Sequence, residues 1–399
     1  MQPLHITIPN NANVKKQLYF LLLLLTGFAL KAHSQVNESP QHQAYEYLYR
    51  MAQKGIVAID DYVLPLDRAT LYALLDSVKS KSHLLTHTEQ EELAFYTADF
   101  LIDNTPGPDQ LKILDRHYQQ RPRMFYATGK GNALMIDPVF GVSSGKYQDK
   151  SSTTYFGGLR MYGKLGRHIG FNFFFRDVTE RGDTTDLGKG FNNYKGRAGG
   201  TLSNNKLNYG EVNFNIGYTW KDGALTIGKD NMVWGYGQAG NMVLSAKAPS
   251  YPYIRLDYYP FTWLHFNYMH GWLMSNQVDS NATYGTGSGV SGSERISYIP
   301  KFIAHHSITV QPVKGLKIAI GESIVYSDKM DVGYLIPINF FKAYDHYASS
   351  TDIRSGGNGQ FFGQVSSRNH IKNTHLYAGF FVDEIRLTKI FSTGKRNQL

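Results

Sequence analysis

The chain has 399 residues, a formal net charge of +9, no cysteine, 28 tyrosines and 23 phenylalanines. Without cysteine there is no disulfide framework, thiol nucleophile or thiolate-ligated metal. The cationic excess comes without a zinc-finger, helix-turn-helix or arginine-rich signature, so it does not read as a nucleic-acid interface.

At the N-terminus, Lys15 and Lys16 precede an apolar run over 18–30, and Ala32-His33-Ser34 supplies small residues before Gln35. That order predicts an export signal over 1–34, cleaved after Ser34. The run is shorter than the ~20 residues a spanning helix needs. Removing it takes three lysines and no acid, lowering the charge from +9 to +6. A mildly basic lumen or rim of that kind attracts an anionic polymer. No later stretch is apolar for the ~18 residues that mark a membrane helix, which excludes a helical inner-membrane protein and leaves the outer membrane as the membrane choice.

Residues 35–120 have helical periodicity and are expected to form a small helical domain. Tyr45, Leu48, Tyr49, Met51 and Ala52 share one stripe, and Leu66, Ala69, Leu71, Leu74 and Leu75 form another behind Pro65, a common helix opener. A third helix is expected from Thr86 or Thr88, because Thr88 and Glu91 have capping-box spacing and Leu93, Ala94, Tyr96 and Leu101 follow. The stripes can cover one another or pack on a barrel mouth.

From Met124 the period changes to two, and 121–399 reads as a β-barrel. In 209–220, Val212, Phe214, Ile216, Tyr218 and Trp220 alternate with Glu211, Asn213, Asn215, Gly217 and Thr219. Tight turns are expected at 166–168, 221–223, 260–262 and 312–315, and long polar connections at 179–193, 275–293 and 349–359. Roughly 12 to 16 strands fit this spacing. Alternation continued over so much of an aromatic-rich chain predicts a mainly β fold, an antiparallel transmembrane outer-membrane β-barrel with a polar lumen.

Residues 226–245, which hold Gly228-Lys229-Asp230-Asn231 and Trp234-Gly235-Tyr236-Gly237, together with 248–254, resemble the Wzi family of capsule-assembly outer-membrane proteins, particularly Bacteroidetes-type members. The likeness extends to 54–59, 64–68, 321–326, 334–339 and 376–385. It implies a barrel of about eighteen strands, a periplasmic helical bundle and a lectin-like role in organising capsular polysaccharide. Some relatives are associated with gliding motility. One departure stands out: the chain stops at 395–399 soon after an apparent strand. A C-terminally truncated product or a smaller barrel is therefore expected, since lipid does not tolerate an open strand edge.

The segment most like the family carries the candidate ligand site. Trp234, Tyr236, Tyr251 and Tyr253 offer flat apolar faces, while Lys229, Asp230, Asn231, Gln238 and Lys247 offer hydrogen bonds. The competing reading is a folded loop whose glycines permit a tight path and whose aromatics fill the lumen. Its glycines lack the spacing of a phosphate loop. Glu322 with Asp383 and Glu384 invites comparison with a glycosidase pair, but adjacent strand residues diverge. The histidines at 265, 270, 305, 306, 370 and 375 lack a zinc-binding helix motif. Ser323 lacks a nucleophile elbow. The expected function is thus non-enzymatic, without metal or cofactor: an outer-membrane protein binding surface polysaccharide, in contact with lipid and other envelope proteins. The alternatives are an outer-membrane channel and a structural component of a surface-motility or secretion complex.

Overall fold

The computed structural model describes residues 36–100, 110–115, 123–182, 201–203, 206–237, 240–275, 277–289, 292–351 and 356–383. The export signal expected over 1–34, Leu101, Gln238, Glu384 and the C-terminal residues lie outside them.

Three helices open the described chain: α1 (Ala44–Gln53), α2 (Arg68–Lys79) and α3 (His87–Phe100). Their stripes cover one another, with Leu48, Met51, Leu71, Leu75, Leu93 and Tyr96 in one buried cluster. One start and one capping box differ from the expected ones, while the third helix does begin from Thr86, one of the two starts expected. Asp67, not Pro65, opens α2, accepting from Thr70 N at 2.9 Å. The capping box of α3 is Thr86 with Glu89: Glu89 N donates to Thr86 Oγ1 at 3.4 Å, and Thr86 N to Glu89 Oε2 at 2.9 Å.

Between α1 and α2 lies β1 (Val63–Leu64). The following strands are β2 (Gln110–Asp115), β3 (Arg123–Gly129), β4 (Asn132–Tyr147), β5 (Lys150–Leu165) and β6 (Ile169–Gly182). Next come β7 (Thr201–Ser203), β8 (Lys206–Trp220), β9 (Gly223–Asp230), β10 (Val233–Trp234), β11 (Tyr251–Phe261) and β12 (Leu264–Leu273). The last are β13 (Tyr284–Gly289), β14 (Gly292–Arg295), β15 (Lys301–Val313), β16 (Leu316–Ser327), β17 (Asn358–Arg368) and β18 (His375–Asp383).

A 14-stranded antiparallel sheet follows the chain as a meander from β2 to β18, with β7 paired to β8 beside the main path. It begins with β2, upstream of the boundary expected at 121. β2 and β18 end the strand order, and no pairing between them is found among the described residues. The expected tight turns are present: Leu165 pairs with Ile169, Trp220 with Gly223, Phe261 with Leu264 and Val313 with Leu316. The connections at the other end carry structure of their own. The stretch expected as a loop at 275–293 includes β13, which pairs with β14, and α4 (Phe341–Thr351) fills part of the passage from β16 to β17.

The two faces of the sheet have exchanged the polarity usual in a soluble protein. On β8, Phe214, Ile216 and Tyr218 are 42%, 49% and 45% exposed, whereas Asn215 and Thr219 are 2% and 4% exposed. Neighbouring strands agree: Leu225, Ile227, Ile308, Ile318 and Ile320 are exposed, and Thr226, Arg255, Asn267, Ser307 and Lys317 are buried. Buried polar and exposed apolar residues are the informative exceptions to ordinary burial.

The N-terminal region packs on the polar face. Lys317 Nζ donates to Ile59 O at 3.2 Å and pairs with Asp60; Arg368 reaches Asp61 at 2.8 Å; and Arg255 donates to Pro65 O at 3.1 Å. Basic side chains of the wall thus hold carboxylates and carbonyls of the 59–65 segment.

Candidate functional site

The alternation of β5 and β6 puts Arg160, Asn172 and Arg176 on the polar face, opposite residues 36–42. Arg160 and Arg68 both bind the Glu38 carboxylate. Arg68 is fully buried between the rings of Phe100 and Tyr162, each 4.3 Å from its guanidinium carbon, and donates to Asp99 O at 2.6 Å. Burial opposes ionisation of Glu38, but Arg160 and Arg68 outweigh it and hold its carboxyl below the usual range. Asp99 is likewise buried and held low, by His42 and by the same two arginines.

Beyond this network lies a cavity of about 260 Å³ between 38–42 and strands β5, β6, β8 and β9. Gln41, Arg160, Asn172, Phe174, Arg176 and Glu211 line it, and three expected site residues join them: Lys229, Asp230 and Asn231. Arg176 Nε donates to Glu211 at 2.7 Å. Asn231 receives a 3.4 Å bond from Gln41 and donates to Ala248 O at 2.7 Å. Lys229 pairs with the outward Phe214 across the ladder, and its amine reaches Val212 O at 2.8 Å and Ser250 Oγ at 2.6 Å. Asp230, next in the strand, turns inward and is buried. The lining therefore offers amide, carboxylate and cationic groups beside the half-buried ring of Phe174.

The expected aromatic platform is a packing cluster instead. Trp234 is 0% exposed: its Nε1 donates to Ser307 Oγ at 2.9 Å and its ring meets His305 at 4.1 Å. Tyr236, Tyr251 and Tyr253 are buried in the same cluster, with Tyr62 and Val63 from the N-terminal region. Val63 pairs with Trp234 and Leu64 with Val233, so β10 descends from one end and meets β1 arriving from the other. Gly235 makes this path possible. Its φ is +92°, and a Cβ would lie 2.6 Å from Gln364 Oε1, the acceptor of Tyr236 N. Protein covers these ring faces, leaving no stacking surface for a sugar. Lys247 is exposed and outside the cavity lining.

Other candidates serve neighbouring groups. Glu322 accepts from Phe341 N at 2.7 Å at the start of α4. Ladder partners put Glu322 on one face with Phe361 and Val382, and Asp383 on the other with Gln360 and Ser323, which separates the two carboxylates. Ser323 donates to Gln360 Oε1 at 2.8 Å. His265 pairs with Asp60 at 2.7 Å, His270 meets Tyr326 OH at 2.8 Å, and His375 meets Ser366 Oγ at 2.8 Å. His370 meets Ser367 Oγ at 2.9 Å, and His306 meets Pro337 O at 2.9 Å. Among the described residues, no three His, Asp or Glu side chains gather in a metal-binding group.

No model of a protein family matches the chain, and no curated protein does. Among solved structures it is similar to the crystal structure of Pseudomonas aeruginosa OccK8 (OprE), at 10% identity and a TM-score of 0.20, over 63% of this chain and 84% of that one. A TM-score so low carries no weight for fold or function.

Proposed function

We propose that the chain is a non-enzymatic outer-membrane β-barrel, its lumen occupied by the N-terminal helical domain, that binds surface polysaccharide in the cavity between 38–42 and β5, β6, β8 and β9. The reading rests on the reversed polarity of the wall, with aliphatic residues such as Ile216 and Ile227 outward and a polar cavity inward. Amide and carboxylate groups around Asn172, Asn231 and Glu211 match the hydroxyl pattern of a sugar, and Arg160 and Arg176 suit an acidic one. The resemblance of 226–254 to the Wzi family supports the same class of ligand. Binding is favoured over free permeation because the β1–β10 ladder crosses the lumen.

The test is capture of the producing cell's own surface polysaccharide by purified protein in detergent. Saturable retention, weakened by Asn231→Ala, is expected. A folded protein that retains none, yet conducts ions stepwise in a planar bilayer, would overturn the reading in favour of a channel.

A further inference from the structure

Between β16 and β17 the chain leaves the sheet and crosses its outward face. Ladder partners define the row it crosses: Tyr268 opposite His306, His306 opposite Glu322, and Glu322 opposite Phe361. The alternate residues of these strands, among them Asn267, Ser307 and Lys317, belong to the polar face, so this row points outward. An outward row with a histidine and a glutamate breaks the apolar pattern. The crossing segment uses each of these groups.

Tyr268 OH donates to Tyr334 O at 2.8 Å, and His306 Nδ1 meets Pro337 O at 2.9 Å. Glu322 accepts from Phe341 N at 2.7 Å and Lys342 N at 3.5 Å, satisfying amides at the start of α4, where a carboxylate also suits the helix dipole. The ring of Phe361 meets Phe340 at 5.9 Å. Inside the segment, Asn339 donates to Gly333 O at 2.9 Å and Tyr334 OH to Asp345 at 3.1 Å. Gly333 gives way to Tyr344, whose ring would stand 2.1 Å from a Cβ there. Over 332–340 the strap turns its polar groups toward the wall.

Its other side is apolar. Val332, Ile336, Ile338 and Phe340 are 68%, 50%, 83% and 53% exposed. This edge adjoins the bare outer face: the neighbouring row toward the tight turns holds Ile308, Ile320 and Phe380, 44%, 60% and 57% exposed. In hydrocarbon, irregular backbone persists only where protein satisfies its polar groups, and a lipid-facing carboxylate is costly. Strap and wall remove both costs for each other.

We infer that the strap over 329–351 is a membrane-seated element whose Ile336–Phe340 edge contacts acyl chains. This rests on the outer-membrane reading above and extends it to a segment outside the strands. The occupant is lipid because the exposed side chains over 332–340 are aliphatic or aromatic and adjoin the bare apolar wall, while the exposed polar side chains of the strap, Lys329, His346, Ser350 and Thr351, stand at its two ends.

The chain has no cysteine, so Ile338→Cys and Ile320→Cys can each carry a single bimane label. The labelled full chains are reconstituted in phosphatidylcholine vesicles with and without brominated acyl chains. Both residues are exposed, which keeps the substitutions away from packed groups. The expected result is quenching of both labels, at least twofold in each. Quenching at 320 without quenching at 338 overturns the strap proposal and leaves the membrane reading standing, as it would if a partner protein or a second copy covered the strap. Quenching at neither position overturns both.

Discussion

Replacing Glu38 by alanine tests how the N-terminal domain is held against the polar face of the sheet. Arg68 is 0% exposed, and the Glu38 carboxylate is its close ionic partner; the Asp99 carboxylate is 3.8 Å away. Removing one member of a buried pair strands the other charge, at a cost of about 3–5 kcal/mol. Asp99 remains near Arg68 through both its carbonyl and its carboxylate, and Arg160, 19% exposed, has a route to water, so the low end applies, about 3 kcal/mol. If that cost falls on docking of 36–67 against the wall, the undocked population rises roughly 10²-fold. Tryptic cleavage after Arg50 and Lys54, followed in detergent with trypsin limiting, reads that population directly. Glu38→Leu combined with Arg68→Met should recover most of the loss, because a well-packed apolar pair can replace a buried ion pair. The reasoning is refuted if Glu38→Ala is cleaved within about threefold of wild type, or if the double variant is as labile as the single one.

Acid should act on the same joint. Glu38 and Asp99 titrate below their ordinary ranges in the folded protein, so their contribution is complete above the unfolded values of about 4 and lost as pH falls through the folded ones. Tryptic resistance should stay flat from about pH 8 to 5 and fail below about 4; failure between about pH 7 and 5.5 would contradict the assignment. Trp234→Ala removes a fully buried ring and its bond to Ser307, for about 3–5 kcal/mol. It should raise planar-bilayer conductance by loosening the β1–β10 closure, and an unchanged, silent bilayer would count against that closure. Ile216→Arg should cost about 2–4 kcal/mol in vesicle folding titrations if that side chain lies near mid-bilayer, whereas an effect within about 0.5 kcal/mol would argue for water on that face.

Strand alternation was legible in 209–220, and burial follows it residue by residue over 214–219, because a period of two is a local property of the backbone. Which face is wet is not local. Phe214 and Asn215 acquire their meanings only when residues 36–67 fill one side. The tight turns were legible for the same local reason, whereas the capping box was read at Thr88 and Glu91 when Thr86 and Glu89 form it. Helix α4 escaped notice because Glu322, nineteen positions upstream of Phe341 and on another element, satisfies its first amides. In the candidate site, Lys229, Asp230 and Asn231 were found in a contiguous segment, while Gln41, Asn172 and Arg176 were missed. Polar-face parity on β6 marks Asn172 and Arg176, but their meeting with Gln41 depends on docking of the N-terminal region against that face. Trp234 and Tyr236 misled because a loop sequence does not say whether a ring meets ligand or core.

Adjacent residues on one strand give the most direct test of the wall. Asn215→Cys and Ile216→Cys, made in a chain free of other thiols, differ only in the face they occupy. The reconstituted protein is treated with a maleimide dissolved in the bilayer and, separately, with a small water-soluble one. The predicted result is that position 216 reacts with the bilayer reagent and resists the aqueous one, whereas position 215 shows no reaction with the bilayer reagent. Aqueous labelling at 216 in folded protein would mean that the outward face meets water, and the outer-membrane barrel would be contradicted.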